Sequence, residues 1–236
     1  MFSLAAKSTT MAGTGALANQ RTFPHASAAF PRMRWAAAAW LAVWLPAYWA
    51  VWGSRNFLHL CDITVVLTCA GLWLGNSLLL SSQAVASIVV DLLWTLDAAS
   101  RLLAGRNLIG GTEYMWDARF PLWVRLLSLF HVFWPVLVIW ALRRVGYDRR
   151  GWILQSAIAA ALLVAARLLA PTQNINYAFR DPIFGRAWGP AAAHLAVIWL
   201  SLVAAIYWPT HRALARLLAP SPPPADEALP PAPPRV

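Results

Sequence analysis

Six apolar stretches separated by short polar breaks set the pattern of this chain: Trp35–Trp52, Phe57–Gly75, Leu78–Leu96, Phe120–Leu142, Trp152–Ala170 and Pro190–Trp208. Each is about long enough to cross a bilayer core of ~30 Å as a helix rising ~1.5 Å per residue. The clearest is RFPLWVRLLSLFHVFWPVLVIWALRR, Arg119–Arg144. Of the 17 residues between Arg125 and Arg143, only Ser128 and His131 are clearly polar. Pro121 suits a helix start, where a first-turn N–H has no partner to lose. Arg143 and Arg144 close the segment. The second and third stretches are separated by almost nothing and predict a tight hairpin. The alanine-rich fifth permits close backbone approach.

The breaks are informative too. Gly53–Asn56 (GSRN) is short. The stretch from Asp97 to Arg119 is a predicted loop containing Gly110, Gly111 and the run TEYMWD. Arg143–Gly151 is a basic turn, and Pro171 to Gly189 is a second long loop. Before the first stretch, residues 1–34 form a basic leader expected to be disordered, with a start at Met33 as the alternative reading. It lacks the apolar core of a secretory signal. After the membrane domain of residues 35–211, residues 212–236 form a proline-rich tail, also expected to be disordered.

Composition agrees with this layout. The chain is 60% hydrophobic and 12% charged, against about 45–50% and about 25% in soluble domains. The fold class expected is therefore all-α, a polytopic membrane protein with a bundle of six transmembrane helices. Net charge is +10, and 18 of the 19 basic residues are arginine. They lie between apolar segments rather than on one stripe, which argues against nucleic-acid binding and for topology signals at a lipid surface. With the N-terminus inside, the cytoplasmic side collects Lys7, Arg21, Arg32, Arg34, Arg143, Arg144, Arg149, Arg150, Arg212 and Arg216. The other side receives Arg55, Arg101, Arg106, Arg119, Arg180 and Arg186. Both termini are expected in the cytoplasm, and membrane lipids are the expected partners. The 15 tryptophans suit interfacial belts. Cys61 and Cys69 lie eight residues apart in one apolar segment, ~12 Å along a helix, too far for a disulfide. No CxxC, Walker loop or GxGxxG occurs.

Alternating helix direction brings the polar residues of the apolar stretches to one side. His59, Cys61 and Asp62 begin the second stretch on the outer side; Asp91 and Asp97 end the third there; Arg125 and His131 begin the fourth. Arg167 ends the fifth and His194 begins the sixth. Counting inward from Arg55, Asp97 and Arg125 as interfacial markers, Asp62 lies seven residues in (62−55), Asp91 six (97−91) and His131 six (131−125). All three are then ~9–10 Å below the outer surface. An ionisable group at such depth is expensive and usually functional.

The chemistry such a set supports is nucleophilic acyl transfer, with Cys61 as nucleophile, His131 as base, and Asp62 or Asp91 orienting the imidazole. A second reading is a zinc site from His59, Asp62, His131 and His194, residue types that suit the metal but lack a short ligand-spacing motif. A third is structural: Asp91 and Asp97 pair with Arg125 or Arg167 to clamp helices, and His59 pairs with Asp62 three residues on. No cofactor or resident metal is expected. A carrier is disfavoured, because such sites lie at the midplane between internal repeats and no repeat relates the first three stretches to the last three.

LHLCD at Leu58–Asp62, SLFH at Ser128–His131 and NINYAF at Asn174–Phe179 before Gly189-Pro190 together resemble the YwaF-like bacterial integral membrane proteins. Those in turn resemble the androgen-induced-gene intramembrane hydrolases and a transmembrane ether-phospholipid acyltransferase. The run from Asn56 to His211, with YMWD and GYDRR, is also similar to bacterial multi-pass membrane proteins. The resemblance implies a bacterial inner membrane. It also implies a threonine or cysteine early in the chain working with a later intramembrane histidine, positions matched here by Cys61 and His131.

Overall fold

A computed structural model describes residues 29–219. The expectations for residues 1–28 and 220–236 lie outside the described residues. Every regular element among the described residues is helical. The helices are α1 (Met33–Trp52), α2 (Leu60–Leu74), α3 (Ser77–Ala104), α4 (Leu122–Leu127), α5 (Phe130–Val145), α6 (Gly151–Leu169), α7 (Ala191–Leu202) and α8 (Trp208–Leu217). A short break joins α4 to α5 and a π turn, Val203–Tyr207, joins α7 to α8, so the elements form six rods among the described residues. Four of these are long and apolar enough to cross a membrane: Ser77–Ala104, Leu122–Val145, Gly151–Leu169 and Ala191–Leu217. Helix α2 is apolar but has 15 residues. Helix α1 has 20 residues, but its five tryptophans, Pro46 and Tyr48 dilute its hydropathy.

Helix ends differ from those expected in three places, each for a local reason. Helix α3 runs past Asp97 to Ala104, because no helix breaker stands before Gly105, whose left-handed φ of 73° ends it. Arg101 then caps the end by donating from Nη1 to the Gly105 carbonyl. The rod Leu122–Val145 is interrupted at Ser128-Leu129, where the N–H groups of Ser128, Leu129, His131 and Val132 bond three residues back, to Arg125, Leu126, Ser128 and Leu129. The last rod continues nine residues beyond Trp208 to Leu217. Pro209 sits in the first turn of α8, immediately after the π turn, where its missing N–H interrupts nothing.

Helix α3 is the hub. Its stretch Leu80–Ser87 is buried on all sides, and α2, α5 and α6 pack around it. The expected hairpin between α2 and α3 is made by Gly75 in the left-handed region (φ 60°) and by Asn76, whose side chain accepts from the Leu79 N–H at 2.9 Å. Two glycines set the close approaches. A Cβ on Gly71 would stand 2.9 Å from Leu80 Cγ, and one on Gly151 would stand 2.7 Å from Ser81 Cβ. Between α1, α2 and α5 lies an aromatic core of Trp44, Tyr48, Phe130 and Trp134. Side chains on the outside are mostly large and apolar, among them Leu92, Leu96, Val136, Val164, Leu168 and Leu200.

At one end of the bundle two arginines lie on tryptophan rings. Arg34 lies over Trp73 at 5.8 Å and Arg144 over Trp140 at 4.4 Å. Phe30 stacks on Trp140 at 5.6 Å, which ties the start of the described chain to the end of α5.

Candidate functional site

The site lies where α2 and α5 begin and the middle of α3 passes between them. Local backbone geometry aims His131. Because the break before α5 turns tightly, the Ser128 carbonyl accepts from the His131 backbone N–H at 3.2 Å and lies 2.8 Å from its ring Nδ1. A carbonyl can only accept, so Nδ1 carries the proton and Nε2 is left with a lone pair. Four residues later comes Pro135, which has no N–H to return to the His131 carbonyl. The hydroxyl of Thr95 on α3 approaches that carbonyl at 3.5 Å. The imidazole itself lies between Trp94 (ring centroids 4.5 Å apart, 10° between planes) and Phe130 (4.0 Å, 24°).

Nε2 of His131 faces Asp91 Oδ1 at 3.9 Å, both groups buried. That is beyond hydrogen-bond distance but within electrostatic range. Asp91 Oδ2 has no hydrogen-bond partner among the described residues. From α2, the Cys61 thiol lies 3.8 Å from Asp62 Oδ1 and donates to it. It is also within electrostatic range of Asp91. Asp62 Oδ2 accepts from Asn56 Nδ2 at 2.5 Å. The structure thus places Cys61, Asp62, Asp91 and His131 in one neighbourhood. Within it, the thiol is bonded to a carboxylate, and no hydrogen bond joins Cys61 to His131 among the described residues.

Three hydroxyl-bearing residues that the sequence reading did not single out complete the neighbourhood. Tyr48 Oη and Ser128 Oγ are 2.6 Å apart. Tyr114, from the loop between α3 and α4, packs edge-on against Trp52 of α1, ring centroids 6.0 Å apart. Burial pushes its phenol well above the ordinary tyrosine value, so it stays protonated. No short-range pattern marks these residues, because each belongs to a different element from its partner.

The clamps anticipated from sequence take other forms. Asp97 accepts from the N–H groups of Ile109 and Gly110 (2.7 and 3.0 Å), from Asn107 Nδ2 (2.8 Å) and from Thr112 Oγ1 (2.5 Å). It organises the loop after α3. Arg125 donates to the Met115 carbonyl at 2.6 Å and Arg167 to the Ala178 carbonyl at 2.7 Å. Neither arginine meets a carboxylate among the described residues. His194 is held at both ring nitrogens: Nε2 is 2.9 Å from the Tyr177 carbonyl, and Nδ1 accepts from the Trp188 N–H at 3.2 Å. The quartet His59, Asp62, His131 and His194 is not gathered. Among the described residues, no three His, Cys, Asp or Glu side chains sit close enough to share an ion.

Asn176 is a positioning residue with an unusual backbone. It and Tyr177 adopt left-handed φ of 52° and 61°. Its side chain accepts from the Leu60 N–H at 2.9 Å and donates to the Leu58 carbonyl at 2.7 Å. The loop before α7 therefore caps the helix that carries Cys61 and Asp62. No protein-family model matches the chain, and no curated protein and no solved structure matches it.

Proposed function

We propose that the six rods span a bacterial plasma membrane with the end that carries Arg34 and Arg144 in the cytoplasm, and that the site at the start of α2 and α5 acts on lipid acyl groups as a hydrolase or acyltransferase. The observation that carries the reading is the Cys61 thiol hydrogen-bonded to Asp62, with the Asp91–His131 pair beside it. A thiol needs a base beside it to become a nucleophile. The contact makes Asp62, rather than His131, that base. In the step proposed, Cys61 Sγ bonds to the carbonyl carbon of a lipid ester and its proton passes to Asp62. The bond from that carbon to the alcohol oxygen then breaks. The departing oxygen takes a proton from the Asp91–His131 pair, with Ser128 donating to the carbonyl oxygen as charge develops there. Water or a second alcohol then bonds to the acyl carbon and gives its proton to the Asp91–His131 pair, while the carbon–sulfur bond breaks and Sγ recovers its proton from Asp62. Lipid chains can approach over the exposed Leu92, Leu93, Leu96, Leu129, Val132 and Phe133, which flank Asp91 and His131 on α3 and α5. The resemblance carried by LHLCD and SLFH points to the same chemistry.

Labelling of membranes with an activated-acyl probe tests it. Wild type should be acylated at Cys61, Cys61→Ala should lose the label, and Asp62→Asn should label ~10²–10⁴-fold more slowly, the range a positioned base contributes. Labelling undiminished in Cys61→Ala would refute the reading.

A further inference from the structure

A second polar feature begins where the first ends. On α3, Gln83, Ser87, Asp91 and Thr95 recur every four residues, which puts them on one face about 6 Å apart and extends ~18 Å along the helix. Gln83, Ser87 and Asp91 are at most 2% exposed. Each carries an oxygen without a hydrogen-bond partner among the described residues: Gln83 Oε1, Ser87 Oγ and Asp91 Oδ2.

Neighbouring helices carry further polar groups toward the end that holds Arg34 and Arg144. Gly151 abuts Ser81, so Gln155, one turn further along α6, stands at the depth of Gln83 and Ser87. Gln155 Nε2 donates to Tyr207 Oη at 3.4 Å, in the π turn, while Gln155 Oε1 is unpartnered among the described residues. One turn on, buried Thr210 has a hydroxyl in the same condition. Beside it His211 Nδ1 and Tyr147 Oη are 2.8 Å apart.

An unpaired buried oxygen costs about 1–3 kcal/mol, and native interiors hold few. Here there are five, three on one face of α3 and one each on α6 and α8, a set of acceptors and hydroxyls that ordered water would join. We propose that this set lines a transmembrane proton path, running from His211 and Tyr147 through Thr210, Tyr207, Gln155, Gln83 and Ser87 to Asp91, with Asp91 as the obligatory stop. Each hydroxyl or water on it accepts one proton and releases another, so only O–H and N–H bonds change. At Asp91 the proton meets His131 Nε2 from α5, and Cys61 and Asp62 from α2. It leaves on the other side past Asp62 and Asn56. The driving force is a voltage or pH difference. The path does not depend on the acyl chemistry.

The test uses the purified full chain in liposomes loaded with a pH-reporting dye, with a potassium diffusion potential driving protons inward. Wild type should acidify the interior at least tenfold faster than protein-free liposomes, and Ser87→Ala, Gln83→Leu and Asp91→Asn should return the rate to background. Ser87→Ala removes only an unpaired hydroxyl and should fold, whereas Gln83→Leu also gives up the 2.7 Å bond from Gln83 Nε2 to Ser82 Oγ, and monodisperse elution checks both. Wild-type flux no faster than protein-free liposomes would overturn the proposal. So would wild-type flux that persists undiminished in Ser87→Ala and Asp91→Asn.

Discussion

The indole of Trp94 lies flat against the imidazole of His131, centroids 4.5 Å apart and planes within 10°. With Phe130 on the other face, the stack fixes the ring about the one axis that its bond to the Ser128 carbonyl leaves free. Trp94→Leu should lower the thermal unfolding temperature by the equivalent of ~0.5–1.5 kcal/mol, the worth of an aromatic pair. Trp94→Phe should recover most of it. Thermal unfolding of the detergent-solubilised protein measures both.

His131→Gln keeps a donor for the Ser128 carbonyl but cannot exchange a proton with Asp91 near neutral pH. It should fold at nearly the wild-type temperature and lose acyl-probe turnover by ~10²–10⁴-fold. His131→Ala should also cost ~1–3 kcal/mol of stability, because the buried Asp91 loses the group that faces it. Single-turnover labelling beside a melting curve separates the two effects, and full labelling of the Gln variant would remove His131 from the chemistry.

Asn176 contributes through both its side chain and its backbone. Asn176→Gly keeps the left-handed φ and loses the two bonds to α2, for which ~0.5–2 kcal/mol is expected. Asn176→Ala loses the bonds and adds backbone strain of ~1 kcal/mol or more. The order wild type, Gly, Ala in melting temperature is the expected outcome.

The two glycine contacts should respond differently to alanine. At Gly151 the obstacles include backbone, with Ser81 C at 2.8 Å and Ser82 N at 2.9 Å from an added Cβ, so α3 and α6 must separate. A loss of ~1–3 kcal/mol is expected, with Ser81→Gly giving little rescue. At Gly71 the obstacle is the Leu80 side chain, with Cγ at 2.9 Å and Cδ2 at 3.0 Å. Gly71→Ala should therefore be milder and be relieved by Leu80→Ala in the double variant. Double-variant cycles on melting temperature test the contrast.

Asp181 gives a pH dependence. Burial raises its carboxyl, but the N–H groups of Phe184, Arg186 and Ile183 outweigh that and hold it below the usual carboxylate range. A depressed folded value means that the loop's stability is fully present above the unfolded value, near ~3.9, and is lost as pH falls through the folded one. Amide-exchange protection at residues 183–186 should hold at neutral pH and fall in acid, and Asp181→Asn should remove most of that dependence.

How far the site was readable depends on which interactions make it. Counting residues along helices of known rise singled out Asp62, Asp91 and His131, and the structure pairs Asp91 with His131 and Cys61 with Asp62. What residue counting could not supply was azimuth. Which groups of α3 and α5 face the start of α2 turns on a rotation of α2 about its axis, and Asn176, 116 residues from Leu60, holds that start. Tyr48, Ser128 and Tyr114 were invisible for the same reason. The Gln83–Ser87–Asp91–Thr95 row was present in the sequence at four-residue spacing, but uncharged polar residues drew less attention than the formal charges.

The sequence by itself determined the helical class, the approximate position of each apolar rod, the hairpin at Gly75 and the split of arginines between the ends. These depend on local properties: apolar length, turn residues and charge near helix ends. Tertiary structure decided the meeting of Asp91 with His131 and of Tyr48 with Ser128, the bond from Gln155 to Tyr207, and the hold of Asn176 on the start of α2. Those depend on which faces meet when six rods pack. In a chain this apolar nearly every face offers similar burial, so a few close glycine contacts and buried hydrogen bonds select the arrangement.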